Sequence, residues 1–434
     1  MPAIFRIAGD MEHSKLCLNH ILRVLYSQRH RGKRMVCGLI TMLIIFSCLV
    51  QFDINPTKNC FNPVVKIPGV KYILLYDSFH NRKMHISNLF AYCPVANCIM
   101  TRNTDVLRAI SDFDAIIFEG RDLDNLKPSD LPNQNYRRPT QIYVMHLMES
   151  PIQEPKTKMT YDRFNNFFNW TMTYRLDSDI PSPYGAKFID PKYVISYKTQ
   201  SLDKTGIIGR PFNYTQFSAS LHHHSELFAL ARRPRAIAWM SSHCNSHSDR
   251  EKYVGELRRH IPVDIFGSCS ALPTKYRGCK NCEEIIRKKY KFYLAFENSF
   301  CDDYVTEKLW RWLDRNVVPV VMGQGDYASI TAPHSIINAL DYPDPVHLAA
   351  FLNQLMKNDT EYLSYFWWKD YYVKNITYGT NQWCRLCQKI NEPILHQKTY
   401  DNLEKWWSGK GHCMSKGMQP WSKYKIPSFA VGKY

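Results

Sequence analysis

The sequence contains no GxGxxG motif, no Walker-type phosphate loop, no internal repeat and no low-complexity segment. The missing glycine-rich loops argue against a dinucleotide-dependent enzyme and against an NTPase. Acidic residues are the minority, because 39 Asp and Glu stand against 56 Lys and Arg, and the formal net charge is +17. A basic field of this kind suits an anionic small ligand. The basic residues are dispersed along the chain, which argues against nucleic-acid binding.

Charged residues are also absent from residues 35–52. This apolar run is just long enough to span a bilayer as a helix. Four Lys or Arg residues lie at 29–34, and Asp53 follows the run, so the positive-inside rule places the N-terminus in the cytosol. A cleavable signal peptide is the alternative, but no clean cleavage site follows. We expect a cytosolic tail (1–34), one transmembrane signal anchor (35–52) and a short stem (53–70).

Two further patterns agree with a lumenal location for the rest of the chain. Four N-glycosylation triplets begin at Asn169, Asn213, Asn358 and Asn375. Of 14 cysteines, eleven lie after the apolar run, so disulfides are expected and at least one cysteine is left over or pairs with another molecule. The spacings Cys279-x-x-Cys282 and Cys384-x-x-Cys387 also fit zinc, although this compartment favours disulfides.

The remaining chain is too long for one core and predicts two α/β domains. Strands are predicted at 71–76, 115–118 and 141–145 with a helix at 106–110, in a first domain spanning 71–215. A second domain spanning 216–390 has predicted strands at 236–240, 264–266, 292–296 and 317–321, and helices at 248–260, 305–313 and 347–356. A C-terminal segment follows at 391–434.

Residues 291–323 read as a strand, a polar loop, a helix and a strand. Such a unit forms a parallel crossover, and ligands bind beyond the carboxyl ends of its strands, where helix N-termini attract anions. Lys308 lies in the first turns of the helix, where a cation opposes the helix dipole. The alternative is a solvated lysine paired with Glu307 or Asp303.

Two further polar residues occupy similar positions. Glu149 follows an apolar strand and precedes Ser150, so it should face a cleft as a general base or, alternatively, act as a cap or salt-bridge partner. Arg250 lies in a segment that resembles a capping box, Ser248 to Glu251, and could bind an anion at that helix start. An exposed helix arginine is the alternative.

The 291–323 segment resembles the signature of the α-1,3-fucosyltransferases, enzymes that move L-fucose from GDP-fucose to a glycan. The similarity extends over roughly residues 70 to 410 and includes MESP at 148–151, TYRLDSDIPSPYG at 173–185, the stretch 238–257, CRLC at 384–387 and NLEKWW at 402–407. It implies two Rossmann-like domains facing a cleft, the GT-B class, and inversion at the anomeric carbon. It also implies a type II Golgi membrane protein with its catalytic part in the lumen.

The resemblance assigns roles to individual residues. Glu149 is implied as the catalytic base and Arg250 as the diphosphate-binding arginine. The other implied donor-binding residues are Ser242, Tyr293, Asn298, Tyr304, Glu307, Lys308 and Tyr184. His243 stands where the family often has asparagine, so this side chain is not assigned to the donor. For Tyr293, which lies on a strand, core packing is the alternative.

The resemblance also bears on disulfides and metals. It implies that Cys384 and Cys387 pair with cysteines far upstream, and Cys93 and Cys98 lie where these are expected. No metal cofactor is required in such an enzyme, because Arg and Lys neutralise the diphosphate, although a stimulatory divalent cation stays open. Possible metal-binding patterns are Asp177-Ser-Asp179, Asp122-Leu-Asp124 and His222–His224, for which turns or surface loops are favoured.

Two other functions remain in competition with this one. The first is a related glycosyltransferase with another acceptor or another nucleotide sugar. The second is a non-catalytic, lectin-like membrane protein on the same fold, which would have little need to keep Glu149, Arg250, Glu307 and Lys308 together. The acceptor, an N-glycan core or an N-acetyllactosamine-type antenna, is not specified by these motifs. Its recognition is expected in the region 79–135.

Overall fold

The computed structural model describes ten stretches of the chain. They are residues 65–76, 89–123, 126–152, 161–189, 212–220, 227–269, 278–374, 381–393, 398–409 and 413–423. The predicted cytosolic tail, the membrane segment at 35–52 and most of the stem therefore lie outside the described residues, as do Asn375, Asp124 and His222–His224. Within the described stretches, no helix is both long and apolar enough to cross a membrane.

The chain divides into two compact units. The first comprises Met1–Ile116 and Pro132–Gln141, and the second comprises Ile117–Leu131 and Ile142–Tyr434. In the first unit, strands β1 (Lys71–Tyr76) and β2 (Cys98–Thr101) pair in parallel, with Lys71 opposite Cys98. Strand β3 (Ala115–Glu119) begins in the first unit and ends in the second.

The helix predicted at 106–110 is wrong. The structure has two short 3₁₀ turns there, Thr104–Val106 and Ile110–Asp112. The Asn103 side chain accepts from the Asp105 backbone N–H, and the Asp112 carboxylate accepts from the Ala109 N–H. These local bonds occupy donors at the start of each turn and compete with a continuous helix.

Within the second unit, β4 (Ile142–Leu147) and β5 (Trp170–Thr173) pair in parallel, with Val144 opposite Trp170. Every residue of β4 is buried. A strand that is covered on both faces has apolar side chains at nearly every position, which is why β4 could be predicted from the sequence. A short strand, β6 (Phe188–Ile189), follows.

A five-stranded parallel sheet forms the rest of the second unit, with the strand order β11-β10-β9-β7-β8. Its strands are β7 (Arg235–Met240), β8 (Val263–Phe266), β9 (Tyr290–Phe296), β10 (Val318–Met322) and β11 (Ile337–Asn338). The two-residue strand β12 (Val373–Lys374) pairs antiparallel with β6.

Helices connect and flank these strands. They are α1 (Tyr214–Ser220), α2 (Phe228–Ala231), α3 (Arg250–Leu257), α4 (Cys282–Lys289), α5 (Glu307–Leu313), α6 (Tyr327–Ile330), α7 (Pro345–Lys357), α8 (Asp359–Ser364) and α9 (Gln382–Asn391). The crossovers β7-α3-β8, β8-α4-β9 and β9-α5-β10 place all carboxyl strand ends at one edge of the sheet. The predicted α/β fold with parallel sheets is confirmed.

Candidate active site

Glu149 lies two residues beyond the end of β4 and is held by three side chains, one from the turn after β3 and two from the loop between β9 and α5. Its Oε2 atom accepts a hydrogen bond from Arg121 at 3.1 Å. Its Oε1 atom accepts from the Asn298 side-chain amide at 3.3 Å and from the Tyr304 hydroxyl. The Glu149 side chain is 22% exposed. The carboxylate of the predicted base is therefore oriented by hydrogen bonds and remains open to a substrate.

A second contact joins the loop after β4 to the loop between β9 and α5. The hydroxyls of Ser150 and Ser299, both fully buried, lie 2.6 Å apart. Ser299 also donates to the Asn298 side-chain carbonyl at 3.0 Å, so Ser150 is the donor to Ser299. This chain of hydrogen bonds fixes the Asn298 amide, which in turn faces Glu149.

Two tyrosines border the Glu149 carboxylate. Tyr184 donates its hydroxyl to the Met148 carbonyl, and its ring lies edge-on to that of Tyr304 at 6.3 Å. Burial, followed by the nearby Glu149 charge, raises the pKa of both phenols well above the ordinary value. Both hydroxyls therefore remain protonated and act as donors, and Tyr304 donates to Glu149.

Lys308 is anchored by a carboxylate that sequence reasoning did not assign. The Glu297 side chain is 1% exposed and accepts from the Thr306 N–H at 2.8 Å, from the Thr306 hydroxyl and from Lys308 Nζ at 3.1 Å. Lys308 is 19% exposed and lies 3.7 Å from the more exposed Glu307. Lys308 therefore projects from the start of α5 with its ammonium group fixed but still accessible.

Arg250 is placed differently from the exposed helix arginine considered as an alternative. The residue is 3% exposed, and it donates to the Phe296 carbonyl at 2.7 Å. Three weaker contacts of 3.4 Å reach the Ser241 hydroxyl, the His243 carbonyl and the Glu251 carboxylate. The guanidinium thus connects the carboxyl ends of β7 and β9.

The capping box predicted from Ser248 to Glu251 is wrong. The residue before α3 is Asp249, which has a left-handed backbone (φ 51°) and makes no side-chain cap. Ser248 donates instead to the Glu297 carbonyl at 2.7 Å. Ser246, two positions before Ser248, instead donates to the Glu251 carboxylate through its N–H and its hydroxyl.

Ser242 is exposed at the mouth of a cavity of about 610 Å³. Its lining residues are Met240, Ser242, Gly267, Gly278, Cys279, Lys280, Asn281, Cys282, Glu283, Glu284, Arg287 and Arg315. Gly267 has φ +97°, and a Cβ there would lie 2.5 Å from the Ser241 carbonyl oxygen. Only glycine fits this close approach at the end of β8.

Tyr293 is buried in β9, and its ring stacks on Trp312 with centroids 4.4 Å apart. Burial raises the pKa of Tyr293 to about 12. This position favours the core-packing alternative over a contact with the donor.

The two aspartates considered as metal ligands are already engaged. Asp177 pairs with Arg175 at 2.7 Å, and Asp179 accepts from the Tyr400 hydroxyl at 2.8 Å and pairs with Lys398 at 2.6 Å. Among the described residues, no group of three His, Cys, Asp or Glu side chains could hold a metal ion. Arg175 also donates to the Trp406 carbonyl at 2.6 Å, so the motifs at 173–185 and 402–407 support each other.

Ten cysteines are disulfide-bonded. Three bridges join Cys244 to Cys269, Cys279 to Cys282 and Cys301 to Cys413, so the earlier C-x-x-C spacing forms a disulfide. Cys93, Cys98, Cys384 and Cys387 are also all in disulfides. The eleventh cysteine after the apolar run, Cys60, lies outside the described residues.

The glycosylation triplets differ in accessibility. Asn213 and Asn358 are exposed. Asn169 is 1% exposed, and its amide accepts from the Tyr143 N–H and donates to the Lys398 carbonyl. A glycan on Asn169 is incompatible with this packing, so the expectation for this position is corrected.

Two family models match the chain. The model described as "Fucosyltransferase, N-terminal" matches residues 68–185, and the one described as "Glycosyltransferase family 10 (fucosyltransferase) C-term" matches residues 230–406. The first match includes Glu149, and the second includes Arg250 and Lys308.

Several curated proteins are similar to this chain. Alpha-(1,3)-fucosyltransferase C of Drosophila melanogaster is 36% identical over 329 residues, which cover 75% of this chain and 72% of that protein. Alpha-(1,3)-fucosyltransferase fut-5 of Caenorhabditis elegans is 32% identical over 388 residues, covering 86% and 92%. A crystal structure of an alpha1,3-fucosyltransferase with GDP-fucose aligns with a TM-score of 0.48 at 16% identity, covering 78% of this chain and 95% of that chain.

A carboxylate, a lysine and an arginine at the carboxyl ends of parallel strands suit group transfer from a phosphorylated donor, and the relatives show that the class is glycosyltransferase. The chain belongs to glycosyltransferase family 10, the α-1,3-fucosyltransferases. The predicted family and enzyme class are confirmed.

Proposed function

We propose that the protein transfers L-fucose from GDP-β-L-fucose to a hydroxyl of an N-acetylglucosamine residue in a glycan, with inversion at the anomeric carbon. The observation that carries this proposal is the contact of Glu149 with Asn298 and Tyr304. It brings the candidate base to the loop that leads into α5, where Lys308 lies. Family membership supports fucose as the transferred sugar.

In this reaction Glu149 accepts the proton of the acceptor hydroxyl while that oxygen forms a bond to C1 of fucose. The bond between C1 and the phosphate oxygen breaks, and GDP leaves with the electron pair. Lys308 and Arg250 offset the charge that develops on the diphosphate. Arg250 does so by exchanging its 3.4 Å contacts with Ser241 and His243 for phosphate oxygens while keeping the shorter bond to Phe296.

We assign the nucleoside of the donor to the cavity beside Ser242. Its volume of about 610 Å³ is in the usual range for ligand cavities, and it opens at the carboxyl ends of β7 and β8. Along its wall Arg287 and Arg315 pair with Glu284 and Glu283, and Lys280 adds one further positive charge. Glu307, exposed at the start of α5, is assigned to hydroxyls of the ribose or the fucose.

The finer architecture and the location also remain proposals. We infer two Rossmann-like domains around a cleft, at 71–215 and 216–390, behind a signal anchor at 35–52. The catalytic part would then lie in the Golgi lumen, with N-glycans on Asn213 and Asn358. The number of disulfides supports an oxidising compartment.

We infer that Cys93 and Cys98 each bond to one member of the Cys384–Cys387 pair. Such bridges would close very long loops, where the chain-entropy estimate is of order 5 kcal/mol each, reduced by strain. They would tie the C-terminal segment to the first domain. Peptide mapping without reduction decides this, and a bridge between Cys384 and Cys387 would refute it.

The proposed function is tested with the detergent-solubilised full chain, GDP-fucose and a glycan array, with the linkage read by mass spectrometry. Fucose on C3 of N-acetylglucosamine in core or antennary glycans is expected. Transfer from another nucleotide sugar alone would contradict the donor assignment. A GDP titration separates the transferase from a lectin-like protein, because the transferase should bind GDP and a lectin-like protein need not.

A further inference from the structure

The two oxygens of the Glu149 carboxylate have different surroundings. Oε1 accepts from the Asn298 amide, the Tyr304 hydroxyl and, at 3.3 Å, the Ser150 N–H. Among the described residues, Oε2 accepts only from Arg121, at 3.1 Å. A carboxylate oxygen offers about two lone-pair sites, so Oε1 is fully occupied and Oε2 keeps a site for a substrate proton.

Arg121 is brought to Oε2 by the turn that follows β3. This 3₁₀ turn, Gly120–Asp122, passes very close to the end of β4, since a Cβ on Gly120 would come 2.9 Å from the Cβ of Leu147. Glu149 follows Leu147 by two residues. Glycine therefore permits an approach that places the Arg121 guanidinium beside the carboxylate.

We propose that Arg121 is a positioning residue that aims Oε2 of Glu149 at the acceptor hydroxyl, an inference that rests on the proposed function of Glu149 as the base. Arg121 suits this role because a guanidinium donates hydrogen bonds and stays protonated, so it does not compete for the transferred proton. It approaches from the open side, since its side chain is 44% exposed.

Two other roles for Arg121 make different predictions. A purely structural salt bridge at this exposure contributes little to stability and would leave turnover unchanged when removed. A phosphate ligand would lose GDP affinity on removal. A positioning residue lowers kcat, leaves GDP binding intact and acts only while Glu149 can accept a proton.

The test uses the full chain with the variants Arg121→Gln, Arg121→Lys, Glu149→Gln and the double variant Arg121→Gln/Glu149→Gln. Lys127→Gln is the matched control, because Lys127 is exposed in the same segment and its loss removes the same charge. Kinetic constants and GDP dissociation constants are measured for each, with thermal unfolding as the check on folding.

We expect Arg121→Gln to lower kcat roughly 10- to 100-fold, since small misplacements of a catalytic group cost about this much, with GDP affinity unchanged. Arg121→Lys should recover most of the loss by restoring a cationic donor. The double variant should be no slower than Glu149→Gln alone, because the two residues act as one unit. Lys127→Gln should behave as wild type.

Four outcomes overturn the inference. If GDP affinity falls as much as kcat in Arg121→Gln, Arg121 is a phosphate ligand. If the loss of kcat in the double variant equals the product of the losses in the two single variants, Arg121 acts independently of Glu149. Normal turnover in Arg121→Gln beside a collapse in Glu149→Gln would refute the positioning role alone. Normal turnover in Glu149→Gln would instead overturn the proposed function itself, together with this inference.

Discussion

Glu149 and Arg250 are held in different ways, although both lie at carboxyl ends of strands. Glu149 is 22% exposed and is surrounded by side chains, those of Arg121, Asn298 and Tyr304. Arg250 is 3% exposed, and its shortest bond goes to a backbone carbonyl, that of Phe296. The position of the arginine is therefore set by the fold, whereas the position of the base is set by replaceable side chains.

This difference predicts that changes at the two residues affect the reaction and the stability of the fold to different extents. A change at Glu149 should alter the reaction and leave the fold intact, because its carboxylate already contacts solvent. A change at Arg250 should alter donor binding and stability together, because the buried Phe296 carbonyl would lose its donor. The variants below measure how far this separation holds.

The largest effect is expected for Glu149→Gln. Glutamine keeps the shape of the side chain but cannot take the proton, and a well-placed base contributes roughly 10²–10⁴-fold. Transfer should fall by about this factor, while the GDP dissociation constant and the midpoint of thermal unfolding stay near wild type. Glu404→Gln, at an exposed glutamate of the same unit, controls for loss of charge.

A fall in the thermal stability of Glu149→Gln would show that the carboxylate has a structural role. The contrast with Arg250 would then fail at Glu149. Near-normal turnover would remove Glu149 as the base.

Arg250→Ala is expected to affect two measurements at once. Losing the charge-assisted contacts should weaken GDP binding and lower the free energy of unfolding, each by roughly 1.5–3 kcal/mol. Calorimetric titration and denaturant unfolding measure the two quantities. Lys252→Ala, an exposed lysine of the same helix, should change neither. Weakened GDP binding with an unchanged free energy of unfolding would show that Arg250 is not part of the structural core, and the contrast with Glu149 would fail at Arg250.

Lys308→Ala should weaken GDP binding by a similar free energy, because in the proposed function its ammonium group offsets the charge on the diphosphate. The loss should be smaller for guanosine, which has no phosphate. Glu297 would still accept two bonds from Thr306, so the start of α5 should stay folded. Equal losses for GDP and guanosine would show that Lys308 does not contact phosphate.

The sequence predicted the strand ends that carry these residues, for a physical reason. Strands such as β4 and β9 are buried on both faces, and each therefore contains an apolar run, at residues 142–145 and 292–296. A polar residue directly after such a run lies at the ligand-binding edge of a parallel sheet. This argument placed Glu149 and the loop before Lys308 correctly in the fold.

The partners of these residues were not predictable from the sequence. Tyr304 lies 155 positions from Glu149, and Arg121 lies 28 positions from it. Nothing local in the sequence joins them, although Arg121 also follows a buried strand and could have been noticed by that rule. The cap of α3 was misplaced because the left-handed backbone of Asp249 has no signal in the Ser248–Glu251 pattern.

The smallest effect is expected from metal removal. If Arg250 and Lys308 neutralise the diphosphate, EDTA should lower transfer less than about twofold, because fixed cations already stabilise the leaving group. Asp177 and Asp179 would have to give up their bonds to Arg175 and Lys398 to bind a metal. Activity is measured after dialysis against EDTA, with and without added Mn²⁺. A large loss that only Mn²⁺ restores would bring a divalent cation into the reaction and show that Arg250 and Lys308 are insufficient alone.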